Sequence, residues 1–292
     1  WFYDVNAKVN RTLDTRNRMF FSLYSGGDHT VFNKLVKGYG MDWGNATATI
    51  RWNHILNDKT NVNTSAVFSN YYYKYKSLSD GLRYVWKSNM QSYQLKSDWE
   101  RYQNNLLTLK GGVNLHYFTT MPGEVGKSGK DSNITPSQMP RKSLWDAALY
   151  AEANYKFLPR FLLKAGVRLS VLHAPASAYY AAKTFVMPEP RAELSFIPNV
   201  SHRFSASYTQ AAQSIHMLTT SSVGIPSDMW MPANALLKPS VMRQLALGYE
   251  YNFPDKEYTL SLEAYMRRTS HVVDYRKNAD IFQNDRIEDE VE

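Results

Sequence analysis

Hydrophobic and polar residues alternate along much of the chain. Between residues 161 and 171 every odd position is apolar, whereas the even positions include Lys164 and Arg168. Between residues 45 and 53 the even positions are apolar and the odd positions are polar. A helix turns by about 100° per residue and would scatter both sets around its circumference. These segments are therefore predicted to be β-strands with one apolar face and one polar face.

The same two-residue period recurs in about twelve segments. They are residues 5–9, 19–23, 45–53, 62–68, 93–99, 107–117, 149–157, 161–171, 192–196, 204–208, 245–251 and 260–264. Many of them extend to about ten residues, whereas strands of soluble sheets most often have about five or six. About ten residues is the length that a tilted strand needs to cross a bilayer.

Short polar turns and longer segments alternate between the predicted strands. The turns are predicted at residues 14–17, 57–60, 101–104, 158–159, 198–201 and 254–257. The longer segments are predicted as loops at residues 25–40, 77–89, 119–142, 173–187 and 211–239. Short periplasmic turns and long extracellular loops are typical of outer-membrane barrels. Aromatic residues near both strand ends, such as Phe161 and Phe196 at the short turns and Tyr73 and Trp145 towards the loops, predict two interfacial girdles.

We therefore predict an all-β fold, a transmembrane antiparallel β-barrel in the cell outer membrane. The composition agrees, because no apolar run reaches the roughly 18 residues expected of a spanning helix. The absence of cysteine excludes disulfides, thiolate metal sites and a cysteine nucleophile. The net charge of +8 is spread over scattered basic residues, so we expect no nucleic-acid partner.

No enzyme motif is present in the sequence. We find neither GxSxG, HExxH, a P-loop nor GxGxxG, and the seven histidines lack the spacing of metal ligands. We expect no catalytic residue, no metal site and no cofactor. An outer-membrane barrel enzyme of the protease or lipase type and a passive porin remain as alternatives to a receptor.

The second half of the chain carries an ordered series of motifs that resembles a known family. LWDAALYAEANYKFLPRFLLKAGVRLS starts at Leu144, and PEPRAELSFIPNVSHRFSASYTQAAQSIHML starts at Pro188. PSDMWMPANALLKPSVMRQLALGYEYNF starts at Pro226, and LSLEAYMRRTSHVVDYR starts at Leu260. This succession resembles the barrel of TonB-dependent outer-membrane receptors, in particular the group with SusC-like barrels and their smaller relatives.

The resemblance implies a barrel of about 22 strands around a plug. Residues 1–292 would then form part of one barrel domain, with the plug and the remaining strands outside this chain. The implied function is energised import of a scarce nutrient by a Gram-negative cell, with iron chelates, cobalamin, haem, glycans and peptides as candidate ligands. The implied partners are TonB, through an N-terminal segment expected outside this chain, and a surface lipoprotein. Outer-membrane lipid and lipopolysaccharide are expected to surround the barrel.

If the apolar faces contact lipid, alternate polar residues point into the lumen. The predicted lumen residues are Arg51, Asn53, Lys110, Asn114, His116, Tyr150, Glu152, Lys164, Arg168, Arg191, Glu193, Arg243 and Glu250. Charged groups at membrane depth need partners, so pairing with the plug or with neighbouring strands is the more frequent role. The candidate ligand-binding residues are Arg168, Arg191 and Arg243 of this set together with Tyr179, Tyr180, His216, Trp230 and Met231 of the loops. Loop aromatic and methionine side chains offer broad, adaptable contact surfaces.

Overall fold

The computed structural model describes residues 1–33, 38–79, 82–128, 135–218, 229–254, 257–279 and 286–292. The elements are β1 (Phe2–Thr12), β2 (Asn17–Asn33), β3 (Gly38–Asn57), β4 (Thr60–Ser79), β5 (Leu82–Asn104), β6 (Leu107–Lys127), β7 (Ser137–Gln138), β8 (Lys142–Leu158), β9 (Phe161–Ala174), β10 (Lys183–Phe196), β11 (His202–Gln213), β12 (Ile215–Leu218), β13 (Met229–Pro232), β14 (Ser240–Asn252), β15 (Thr259–Ser270) and a 3-10 helix (Ile287–Glu290). Among these residues no helix has the length and apolar character needed to cross a membrane.

Twelve strands follow one another in a single antiparallel sheet. Its order is β1-β2-β3-β4-β5-β6-β8-β9-β10-β11-β14-β15, with the short β7 added beside β6. Strands β12 and β13 form a separate hairpin inside the connection between β11 and β14. The all-β antiparallel class and the twelve strands are thereby confirmed. Across the described ranges β1 and β15 are the two edges and do not pair with each other, so the sheet is open. A total of about 22 strands stays a prediction.

The short turns are stabilised by asparagine and aspartate side chains that accept backbone hydrogen bonds. Asp14 Oδ1 accepts from Arg16 N at 2.7 Å, and Asn199 Oδ1 accepts from Ser201 N at 3.0 Å. This local bonding is the reason why these residues favour turns. The turn predicted at residues 101–104 was misplaced, because β5 continues to Asn104 and the chain reverses at residues 105 and 106.

Two segments predicted as loops are mostly strand. Residues 25–40 belong largely to β2 and β3, and residues 77–89 belong largely to β4 and β5. Polar cross-strand contacts accompany the extension, since Lys87 Nζ lies 2.8 Å from Glu124 Oε1 and His29 is hydrogen-bonded to Asp42. A ladder satisfies backbone groups outside the membrane as well as inside it, so the strands do not stop at the bilayer surface.

Exposure identifies the lipid-facing side of the sheet. Leu169 and Leu194 are 43% and 42% exposed, whereas the neighbouring Ser170 and Ser195 are 3% and 0% exposed. Apolar residues outside and polar residues inside invert the arrangement of a soluble protein. We call the apolar side the outer face, which contacts lipid, and the polar side the inner face, which lines the lumen.

Rings at both ends of the outer face form the two predicted girdles. Near the short turns, Phe161 and Phe196 lie 4.8 Å apart between ring centroids. Towards the long loops, Tyr117 and Trp145 lie 4.5 Å apart. Such rings favour the headgroup boundary, so the two belts mark the edges of the bilayer. Tyr73 does not belong to them, because it is 1% exposed and points to the inner face.

Candidate functional site

Charged side chains of the inner face form ion pairs, both between neighbouring strands and within one strand. Lys110 Nζ lies 3.1 Å from Glu100 Oε1, and Lys96 Nζ lies 3.0 Å from Asp98 Oδ2. The two-residue period of the strands places all four side chains on the same face. Intraprotein pairing is what charges at membrane depth require.

Arg168 is the centre of a denser group on β8, β9 and β10. Its Nε donates to Ser170 Oγ at 3.0 Å and lies 3.5 Å from Glu189 Oε1, while Nη2 lies 3.9 Å from Asp146 Oδ2. Ser170 Oγ in turn donates to Glu189 Oε1 at 2.7 Å. The guanidinium of Arg168 therefore donates a hydrogen bond to one hydroxyl and lies within ion-pair distance of two carboxylates.

A polar cavity of about 420 Å³ opens beside this group on the inner face. It is lined by Gln94, Lys96, Asp98, Asn114, His116, Asp146, Tyr150, Ala151, Glu152, Val167, Arg168 and Arg191. Tyr150 Oη donates to Asp98 Oδ1 at 2.8 Å, and Gln94 Nε2 donates to Asn114 Oδ1 at 2.7 Å. The size lies in the range of small-molecule sites, and the lining offers both donors and acceptors. It can hold a polar group of a ligand or of a plug.

We expect Arg168→Met to destabilise the barrel by about 1–2 kcal/mol, since the hydrogen bond to Ser170 and the ion pairs with Asp146 and Glu189 are lost. Urea unfolding of the reconstituted protein measures the change. Lys110→Met is the matched control, because its pair with Glu100 is 42% and 32% exposed on the two side chains. That change should have an effect below about 1 kcal/mol. Equal effects of the two substitutions would contradict a special role of Arg168.

A hydrophobic cluster closes the outer end of the inner face. We call it the loop core; its buried members are Tyr73, Trp86, Val125, Met139, Leu218, Met229, Met231, Leu237, Ile287 and Val291. They come from β4, β5 and β6, from the residue after β7, from the β12–β13 hairpin and the connection that follows it, and from the segment containing the 3-10 helix. Segments that follow β11 and β15 thus meet neighbouring strands of the first half of the sheet around one cluster, which requires the sheet to curve towards its inner face.

A buried ion pair lies beside the loop core. Lys142 Nζ bonds to Glu288 Oε1, with side-chain exposures of 3% and 1%, and Asn234 Nδ2 donates to the same oxygen at 3.0 Å. Lys142 Nζ also lies 5.7 Å from the centre of the Tyr180 ring, a cation-π distance. These groups join the start of β8 to the connection after β13 and to the 3-10 helix.

The loop residues predicted to bind ligand meet in this region. Tyr179 and Tyr180 are half-buried, with Arg286 Cζ 5.7 Å from the centre of the Tyr179 ring. Burial, and secondarily the Glu288 carboxylate, raises the pKa of Tyr180 and keeps its phenol neutral. Trp230 is half-buried, whereas Met231 and His216 are 0% and 4% exposed. Met231 and His216 are therefore shielded from the surface of the packed loops.

The burial of His216 predicts that acid weakens the packing of the hairpin. Its Nε2 lies 3.0 Å from the carbonyl of Lys238, and burial lowers its pKa below the ordinary 6.5 although this bond opposes the shift. The open form then takes up a proton more readily than the packed form, so packing is fully stable above about pH 6.5 and weakens as the pH falls below it. Hydrogen exchange of the amides of residues 229–231, corrected for intrinsic rates, should show this opening. His216→Gln should remove the pH dependence; an unchanged pH profile in that variant would contradict the role of His216.

The lumen placement was wrong for Arg243 and correct for the other twelve predicted lumen residues. Arg243 is separated from Leu245 and Leu247 by whole two-residue periods of β14 and therefore points to the same side. Leu245 and Leu247 are 57% and 65% exposed on the outer face. Its Nε donates to Gln210 Oε1 at 2.9 Å, and Gln210 is its direct partner on β11. Directly opposed residues of an antiparallel pair point to the same side, so Arg243 faces the lipid.

The contacts of Lys142, Asn234 and Glu288 were missed by sequence reasoning. Lys142 and Glu288 are 146 positions apart. No local period or motif connects such positions, because the contact exists only once the sheet has curved. The acidic stretch that begins at Glu288 gave no indication of burial.

The open antiparallel wall, its exposed apolar face, its two girdles and its ion-paired inner face define an outer-membrane β-barrel protein. The sequence matches the family described as TonB dependent receptor-like, beta-barrel, over residues 3–292, so the chain belongs to the TonB-dependent receptor family. Members of this family are transporters of the Gram-negative outer membrane and not enzymes, which excludes the alternative of a barrel protease or lipase.

Solved structures share the fold. The ferric-catecholate import receptor Fiu from K12 E. coli aligns with a TM-score of 0.69 and 13% identity, over 95% of this chain and 52% of that chain. The ferric yersiniabactin uptake receptor FyuA from Yersinia pestis gives 0.70 and 11%, over 92% and 45%. The copper transporter OprC gives 0.68 and 12%, over 94% and 46%. The chain thus spans about half the length of these structures. Among curated proteins no match is found.

Proposed function

We propose that this chain is part of the wall of a receptor that imports a scarce nutrient in a TonB-dependent manner, with a ferric chelate as the first ligand class to test. The observation that carries the proposal is the polar cavity on the inner face, which lies under a packed loop core. A porin needs an open lumen, whereas a receptor needs a wall that binds a plug and an outer end that can close over a ligand.

Arg191 is our first candidate for direct ligand contact in the lumen. It lines the cavity, is exposed, and takes part in no ion pair within the residues that the structure describes. Many ferric chelates carry carboxylate or catecholate oxygens, for which a guanidinium is a suitable donor. Arg168 is already bonded to Ser170 and close to two carboxylates, so we assign it to positioning the wall.

At the outer end we propose that Tyr179, Tyr180 and Trp230 make the first ligand contacts. All three are half-buried, so each retains ring surface accessible from outside. His216 and Met231 would join the site only after the hairpin opens. Solved relatives in fold are named for ferric catecholate, ferric yersiniabactin and copper, which supports a metal chelate as the first choice. Cobalamin, haem, glycans and peptides are the alternatives.

The implied partners complete the proposal. A plug would pair with the inner face, and TonB would act on the plug through a segment outside this chain. A surface lipoprotein would cover the loops if the ligand is a glycan or a peptide, as in SusC-like systems. Lipid and lipopolysaccharide would surround the outer face.

The test is uptake by cells that express the full-length protein as their sole receptor of this family. Cells are given a panel of radiolabelled ferric chelates, with TonB either intact or disrupted. We expect uptake of at least one chelate, only with intact TonB, and weaker binding of that chelate by Arg191→Gln. Uptake that ignores TonB, or steady ion conductance in planar bilayers, would overturn the receptor function. Uptake of a different nutrient class would overturn the choice of ferric chelates alone.

A further inference from the structure

Two arginines lie side by side on the lipid-facing side of the sheet. Arg243 on β14 is the direct partner of Arg268 on β15, one period beyond the pair of Leu245 and Met266. Because opposed residues share a face, both guanidinium groups lie on the outer face above an apolar strip. Leu245 and Met266 are 57% and 74% exposed, so this strip is in contact with lipid.

Within the described residues, this pair of like charges has no acidic partner. Among the residues that the structure describes, neither guanidinium forms an ion pair; Arg243 donates to the neutral Gln210 at 2.9 Å. Like charges directly opposed across strands are destabilising. By contrast, Lys87, which also lies at the outer end of its strand, forms an ion pair with Glu124, with 2.8 Å between Nζ and Oε1. The arginine pair therefore offers a concentrated positive charge that an anion would neutralise.

The height of the pair matches the outer headgroup region. Arg243 lies about ten residues along β14 from the start of the periplasmic turn at Phe253, or about 33 Å at a rise of about 3.3 Å per residue. With a strand tilt of about 40°, this is roughly 25 Å across the membrane, which is the usual height of the apolar band. The guanidinium groups thus lie where lipid phosphates are found.

An apolar groove of about 620 Å³ runs along the outer face directly below the pair. Small side chains, Ala192, Ala206 and Ala264, lie along it, and the larger Leu194, Leu245 and Leu247 flank them. A depression of this kind fits a hydrocarbon chain, because the lining side chains of this face are apolar apart from the hydroxyl of Tyr208.

We propose that Arg243 and Arg268 bind a phosphate of an acylated glycolipid of the outer leaflet, the lipid A part of lipopolysaccharide, with an acyl chain in the groove beside Ala206. Guanidinium groups bind phosphate through paired, charge-assisted hydrogen bonds. The site is separate from the lumen, so the proposal does not depend on the imported nutrient.

The experiment measures lipid binding to the purified full-length protein in detergent by native mass spectrometry. The probes are phosphorylated lipid A, the same lipid without phosphates, and inorganic phosphate. We expect retention of phosphorylated lipid A only, and about tenfold weaker retention by the double variant Arg243→Gln with Arg268→Gln, as lost charged hydrogen bonds imply. Equal retention of the dephosphorylated lipid, or no effect of the double variant, would overturn the proposal.

Two further variants test the two parts of the proposed lipid site. One distinguishes the effect of the arginine pair from the effect of net charge, and the other tests the acyl-chain contact in the groove. Arg267→Gln is the matched charge control, since Arg267 adjoins Arg268 but lies on the inner face and donates to Gln244 at 2.8 Å. It should leave lipid retention unchanged; an equal loss would point to net charge and overturn the site.

Ala206→Phe should fill the groove and weaken lipid A retention, and unchanged retention would overturn the acyl contact. Heat-dependent gel mobility verifies that each variant is folded.

Discussion

Ala48→Arg should destabilise the barrel by about 2–4 kcal/mol, because an arginine near the middle of the bilayer must lose its hydration or distort the lipid. Ala48 lies on the outer face between its cross-strand partners Leu23 and Phe68, and Trp52, an exposed aromatic residue of the same face, lies further along its own strand towards the short turn. No acidic side chain occupies either opposed position, so the new charge would remain unpaired.

Thr47→Arg is the matched control, since Thr47 is the adjacent residue and points to the inner face between Tyr24 and Ser69. Its effect should stay below about 1 kcal/mol, because a charge on the inner face meets polar groups. Urea unfolding of the full-length protein in liposomes measures both. If the two variants lose equal stability, the assignment of outer and inner faces is wrong.

Glu288→Leu should lower the free energy that keeps the outer loops packed by about 3–5 kcal/mol. The buried ammonium of Lys142 would be left without its carboxylate partner. The effect should be confined to the loop core and its neighbours, since the ladders of the membrane strands do not involve Glu288. Hydrogen exchange and limited proteolysis of residues 229–239 and 286–292 should detect it, while the urea midpoint of the barrel stays unchanged.

Two variants test this interpretation of the buried pair. Asp289→Asn removes an acidic group from the neighbouring position. The side chains of Asp289 and its ion-pair partner Arg286 are 49% and 46% exposed. This variant should therefore change the stability by less than about 1 kcal/mol. Glu288→Leu combined with Lys142→Met should recover most of the loss, because no buried charge remains. A double variant as disordered as Glu288→Leu would show that the ion pair is not the cause.

The strands could be predicted from sequence because each depends on a local period. One face is wholly apolar over residues 161–171 of β9 and 45–53 of β3, and one apolar face suffices to identify a membrane strand. The extensions of β2 to β5 beyond the bilayer could not be found in this way, since no lipid imposes alternation there. In those parts the ladder and charge pairs such as Lys87 with Glu124 maintain the strand.

The candidate site was only partly predictable. Inner-face residues such as Arg168 follow from parity, and the structure places them around one cavity. Arg243 was placed in the lumen because it is charged, although its parity with Leu245 already indicated the opposite face. The pair of Lys142 and Glu288 depends on the curvature of the whole sheet, which no segment of sequence specifies.

The separation of 146 positions between Lys142 and Glu288 has a consequence for the order of folding. Neighbouring strands of the wall are neighbours in sequence, so their hairpins need only short-range chain closure. The ion pair and the cluster around Ile287 need a contact of high sequence separation, which is slow to form because the intervening chain must first be ordered. A newly inserted barrel would therefore pass through a stage in which the strands are paired but the outer loops are not yet packed. During this stage, proteases outside the cell could cut the loops.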